Sequence, residues 1–117
     1  MPAQTHPQEA ALVGAAQATV AAQFAGEHGP RTLTAVALQR LAAVVREARC
    51  HEAVAHWLRA QVGQGWSPKL VGAVVAGLES APGFEQADEA AQVAAWRTYS
   101  EYLSQAYTWQ AAVEGAQ

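Results

Sequence analysis

The sequence predicts an all-α fold, a compact bundle of four to five helices in which residues 1–117 form a single domain. Three observations predict it. Apolar residues recur three and four positions apart along most of the chain, as they do on one face of a helix. Prolines, glycines and capping residues divide the chain into segments of helical length. No segment alternates apolar and polar residues with the β-branched enrichment that is typical of a strand.

The first helix is predicted from about Gln8 to Ala25, since Pro7 suits a first helical turn and Gly26 suits a helix end. Its apolar face comprises Leu12, Val13, Ala16, Val20 and Phe24. The segment Glu27-His28-Gly29-Pro30 that follows is typical of a turn.

A second helical stretch is capped by Thr32 or Thr34 and ends at Gly63-Gln64-Gly65. It can be one long helix or two helices joined near Arg49-Cys50. Because neither proline nor glycine lies at that junction, the residues themselves favour a continuous helix.

The third helical segment begins at Ser67-Pro68, which places a capping hydroxyl before a proline at the first helical position. It runs to about Glu79 and is broken by Ala81-Pro82-Gly83. The last helix begins at Asp88 or nearby and reaches about Glu114.

The last helix carries an unusually wide apolar surface. At 100° per residue, one face holds Val93, Trp96, Tyr99, Leu103 and Tyr107. A neighbouring sector holds Tyr102, Trp109 and Val113. Either the helix is central in the bundle, which we favour, or Tyr102 and Trp109 form an exposed interface for a protein partner.

Composition predicts a soluble cytoplasmic protein. Cys50 is the only cysteine, which excludes an intramolecular disulfide and fits a reducing compartment. Lys and Arg are absent from Met1 to Gly26, whereas a secretory signal begins with basic residues. The charge-free stretch from Ala10 to Gly26 is too short and too polar to span a bilayer, so we expect no membrane contact.

Charge is distributed unevenly along the chain. The net charge of −3 combines −2 in residues 1–30, +4 in residues 31–69 and −5 in residues 70–117. Such asymmetry can hold an anionic partner on the basic part or dock copies of the chain head to tail. The alternative is that the helices pair these charges within the fold.

Catalytic and metal-binding patterns are not evident, so we expect no enzyme, no cofactor and no metal. His51 and His56 are five residues apart and diverge on a helix, whereas zinc proteases use histidines four apart. We interpret Glu47 with His51, and Glu52 with His56, as solvated pairs. Cys50 is expected to be a small, buried or half-buried apolar residue.

The basic middle of the chain contains four arginines that can grip phosphate groups with bidentate geometry: Arg40, Arg46, Arg49 and Arg59. Arg46 and Arg49 are three residues apart and share a face if the helix is continuous. No aromatic stacking platform is evident beside them, so a nucleic acid would bind here through its backbone. A solvated basic face balanced by acidic helices is the alternative.

The segment from Leu41 to Trp57 resembles part of the small helical subunit of Cmr-type (type III) CRISPR effector complexes. That family shows leucine-proline, two aliphatic residues, an arginine, a glycine-leucine turn and a leucine-alanine-phenylalanine run. The positions that fit are Leu41, Val44, Val45, Arg46, Val54 and Ala55. The glycine and leucine of the family turn fall at Arg49 and Cys50. The last helix, with Tyr99, Leu103 and Trp109, is similar in kind to the family's closing helix.

The resemblance implies a non-catalytic subunit for antiviral defence. Copies would stack along the effector filament, beside other protein subunits, and a basic face would contact the backbone of guide and target RNA. Arg40, Arg46, Arg49 and Arg59 are the expected RNA contacts, and Arg46 stands at a family-matched position. The alternative is a stand-alone interaction protein of the immunity, antitoxin or adaptor type, which would bind through Tyr102 and Trp109. A third reading, weaker than these two, is a ligand-binding or enzymatic bundle that uses His51 or His56.

Overall fold

The computed structural model describes residues 7–26 and 33–115, and every regular element within those ranges is a helix. The five helices are α1 (Pro7–Phe24), α2 (Ala35–Glu47), α3 (His51–Ala60), α4 (Pro68–Glu79) and α5 (Glu89–Gly115). The predicted all-α bundle is therefore confirmed. Thr32 and the predicted turn at residues 27–30 lie outside the described residues. None of the described helices is long and apolar enough to cross a membrane.

Three of the helices, α2, α4 and α5, begin where the capping residues predict. Thr34 and Ser67 each accept a hydrogen bond, at 3.1 Å, from the backbone N–H three residues further on. Asp88 does the same at 2.8 Å before α5. Each such cap stabilises a helix by about 1 kcal/mol. In the loop after α3, Gly63 and Gly65 have φ angles of +92° and +95°, a backbone conformation that favours glycine.

The continuous helix expected across Arg49-Cys50 was wrong. α2 ends at Glu47, Ala48 and Cys50 adopt extended conformations, and α3 begins at His51. The reason is a change of phase between the two buried faces. With 100° of rotation per residue, the centre of the buried face of α2 and that of α3 would lie about 100° apart round a single straight helix. Such a helix would therefore turn one of the two faces to solvent. The buried sets are Ala37, Leu38, Leu41 and Val45 in α2, and His51, Val54, Ala55 and Leu58 in α3.

α5 is the central helix, as its wide apolar surface favoured. It packs against all four other helices and most extensively against α1 and α2. Trp96, Tyr99 and Leu103 are almost fully buried where these helices meet. α4 lies mainly against α1. The core is thus built around the first half of α5, while the last turns of α5 are half-buried or exposed.

Candidate functional site

The four predicted RNA-contacting arginines are all exposed, but they do not form one stripe. Arg40 and Arg46 are six residues apart on α2, which places them about 120° apart round the helix. Arg49 lies in the connection between α2 and α3, and Arg59 lies in the last turn of α3. The face that Arg46 and Arg49 were expected to share on a continuous helix does not exist, because the helix breaks between them. The two residues instead flank the turn.

The arginine and lysine side chains that the structure describes form no ion pairs with acidic residues. Among the described residues, no arginine or lysine has a carboxylate oxygen within 4.0 Å. The solvated Glu52–His56 pair that we expected is not formed either. The described arginines therefore form no ion pairs within the fold, so they are either a solvated basic face, as the alternative has it, or a surface for an anionic partner.

Arg97 joins the same region, and sequence reasoning missed it. Its Nη2 donates a hydrogen bond of 3.4 Å to the backbone carbonyl of Arg46. A cation at this place complements the partial negative charge at the C-terminus of α2. The contact brings a third exposed guanidinium group to the turn that carries Arg46 and Arg49.

His51 is a buried member of the core and not a solvated partner of Glu47, as we had expected. The Trp96 indole Nε1–H donates to His51 Nδ1 at 2.9 Å, and His51 Nε2 lies 2.9 Å from Glu79 Oε2. Because an indole N–H only donates, Nδ1 is unprotonated and Nε2–H donates to the carboxylate. The break before α3 removes Glu47 from the helix of His51 and turns the imidazole inward.

This arrangement links three helices and gives His51 a structural role. Phe84 packs edge-on against the imidazole, with ring centroids 5.0 Å apart. Both ring nitrogens of His51 thus have protein partners in the folded chain. Within the part of the chain that the structure describes, no group of three or more His, Cys, Asp or Glu residues is placed to hold a metal ion. Cys50 is half-buried at the start of α3.

The two residues of the second predicted surface, Tyr102 and Trp109, have different environments in the fold. Trp109 is 70% exposed. Tyr102 is half-buried, and its hydroxyl donates to the Glu9 carboxylate of α1, a hydrogen bond that raises the pKa of Tyr102. Between α1 and α5 lies a groove of about 470 Å³ without charged residues, lined by Val13, Gln17, Ala21, Tyr102, Gln105, Ala106, Trp109 and Gln110. An exposed indole beside a groove is typical of a binding surface.

Replacing Trp109 with alanine is expected to change the free energy of unfolding by less than about 0.5 kcal/mol, because the indole contributes little to the core. The matched control is Trp66→Ala. Trp66 is 3% exposed, and its truncation should cost about 3–5 kcal/mol. Urea unfolding of the two variants and the wild type measures both values. A loss above about 1 kcal/mol for Trp109→Ala would show that the indole packs on the domain.

Comparisons with family models, with curated proteins and with solved structures find no match to this chain.

Proposed function

We propose that this chain is a non-catalytic helical subunit of a Cmr-type RNA-guided effector complex, in which the turn between α2 and α3 faces the RNA backbone. The observation that supports this proposal is the position of the helix break. The residues alone favour a continuous helix, whereas the resembled family has a glycine-leucine turn at the positions of Arg49 and Cys50. The chain turns at those positions without glycine or proline.

The charges around the turn support the same proposal. Arg46 precedes the turn, Arg49 lies in it, and neither is paired with a carboxylate among the described residues. Guanidinium groups bind phosphate oxygens in a bidentate manner and need no base-specific contact. An RNA held in this way is recognised through its backbone, and its affinity falls steeply as salt rises.

A protein-interaction module is the second candidate, and the groove between α1 and α5 favours it. Trp109 presents most of its indole to solvent beside an uncharged surface. Exposed aromatic side chains of this kind are enriched among the residues that dominate binding energy at protein interfaces. The two candidates are compatible, because a complex subunit also needs contacts with its neighbours, copies of itself included.

A tagged pull-down from the native host tests the proposal. We expect a large ribonucleoprotein that carries short RNAs of uniform length. Arg46→Glu is expected to reduce the retained RNA, because it places a negative charge beside the phosphates. Lys69→Glu in the first turn of α4 makes the same change of charge away from the turn and serves as the control. Recovery of one or two proteins without RNA would contradict the effector-subunit proposal and favour the interaction module.

A further inference from the structure

The exposed arginines include one group that the fold itself assembles. Arg46 and Arg49 are separated by three positions, which limits their Cα atoms to about 11 Å. Arg97 comes from α5, 51 positions further along the chain than Arg46, and its guanidinium touches the α2 end of the same turn. Only the folded chain brings these three residues together.

Among the described residues, no carboxylate forms an ion pair with these three arginines. Glu47 follows Arg46, and Glu101 lies one helical turn beyond Arg97, yet neither carboxylate is within ion-pairing distance of a guanidinium. Like charges in one neighbourhood repel one another, and a bound anion relieves that repulsion. The concentration of unpaired positive charge is therefore complementary to an anion.

The Arg97 guanidinium lies at the end of α2 through one contact of 3.4 Å. One of its five N–H donors is directed to the Arg46 carbonyl, and the others remain available. A guanidinium that is already anchored loses less conformational freedom on binding than a free one. Its planar fork matches two oxygens of a phosphate group.

We propose that Arg46, Arg49 and Arg97 form one binding site for a phosphodiester group of an RNA strand, with Arg97 as the residue that α5 contributes. The site rests on the proposed function for RNA as the source of the phosphate. It adds to that function a residue that lies outside the basic middle of the sequence, in the segment of net charge −5.

The test is binding of a fluorescently labelled oligouridylate of about 20 nucleotides to the isolated chain, followed by anisotropy over a range of salt concentrations. Arg97→Gln should weaken binding roughly fivefold and lower the slope of log affinity against log salt by about 0.7, the value for one phosphate contact on a single strand. Lys69→Gln is the charge-matched control and should keep the wild-type slope. Arg97→Lys should keep the slope but lose part of the affinity, because an ammonium lacks the planar fork.

Thermal unfolding of each variant shows whether the end of α2 survives the loss of Arg97. If Arg97→Gln does not fold, Arg97→Lys provides the comparison, because it keeps a cation at the helix end. Equal effects of the Arg97 variant and Lys69→Gln would overturn the shared site and leave the RNA-contact proposal standing. Absence of binding by the wild type at the lowest salt would also overturn the site. The pull-down judges the proposed function separately, because it uses the native complex.

Discussion

Replacement of His51 with alanine is expected to lower the free energy of unfolding by about 4 kcal/mol. Two effects combine in this value. Truncation of a ring that is only 8% exposed leaves a cavity among Trp96, Phe84 and α4. The indole N–H of Trp96, which is 0% exposed, also loses its acceptor. A buried donor without a partner costs about 1–3 kcal/mol by itself.

His56 provides the matched control, since it is the same residue type on the same helix and is exposed. His56→Ala should change stability by less than about 0.5 kcal/mol. Urea unfolding of both variants gives the comparison, and the indole N–H resonance of Trp96 reports on the hydrogen bond directly. Similar losses in the two variants would contradict the structural role of His51.

A double-mutant cycle separates the unpaired donor from the cavity. Trp96→Phe removes the indole N–H, so His51→Ala in that background no longer leaves a buried donor without a partner. The second substitution should then cost about 1–2 kcal/mol less than it does in the wild type. Strict additivity would show that the hydrogen bond contributes nothing beyond packing.

The helix starts at capping residues were predicted from the sequence, whereas the helix break before His51 was not. Caps at Thr34, Ser67 and Asp88 are local signals, since each acts on a backbone group three residues away, and they predicted the helix starts correctly. The break before His51 has no local signal of that kind. It follows from the phase of two apolar faces, and a comparison of the phase of residues 37–45 with that of residues 51–58 would have found it. The same comparison would have placed His51 inside.

The candidate surfaces were predictable to different degrees. The apolar sector of Tyr102 and Trp109 left two outcomes open, and the favoured one, central packing, is wrong for Trp109, which is 70% exposed near the end of α5. Tyr102 lies in the same sector but reaches Glu9, 93 positions away. The contact of Arg97 with Arg46 is likewise a product of tertiary packing. Such contacts between helices depend on the angles and positions at which the helices cross. The periodicity of apolar residues within one helix does not determine those angles and positions.

Gly77→Ala is expected to destabilise the domain by about 2 kcal/mol, although alanine is the better helix former. A Cβ atom at Gly77 would lie 2.7 Å from the Tyr99 hydroxyl oxygen and 3.2 Å from the Ala15 Cβ. Tyr99 is fully buried, so its ring has no free space into which it can move. The absence of a side chain at Gly77 therefore allows α4 to approach α1 and α5 closely.

Gly72 lies on the same helix and supplies a control of opposite sign. An added Cβ there meets no atom within 4 Å, so Gly72→Ala should stabilise the domain by up to about 1 kcal/mol through helix propensity alone. Thermal or urea unfolding of the two variants measures the difference. Stabilisation by both substitutions would contradict the close approach at Gly77.

The Tyr99 hydroxyl is the atom that an added Cβ at Gly77 would contact most closely. Burial raises the pKa of Tyr99 to about 12, and the Thr19 side chain offsets part of that rise. The hydroxyl oxygen nevertheless has no partner in hydrogen-bonding geometry among the described residues. Tyr99→Phe is therefore expected to change the free energy of unfolding very little, because it removes a buried hydroxyl that makes no hydrogen bond with the described part of the folded chain.

In the Tyr99→Phe background, Gly77→Ala should lose most of its destabilising effect, because the nearest atom, the Tyr99 hydroxyl oxygen, is gone and only the contact with Ala15 remains. An unchanged cost would assign the clash to α1 instead of Tyr99.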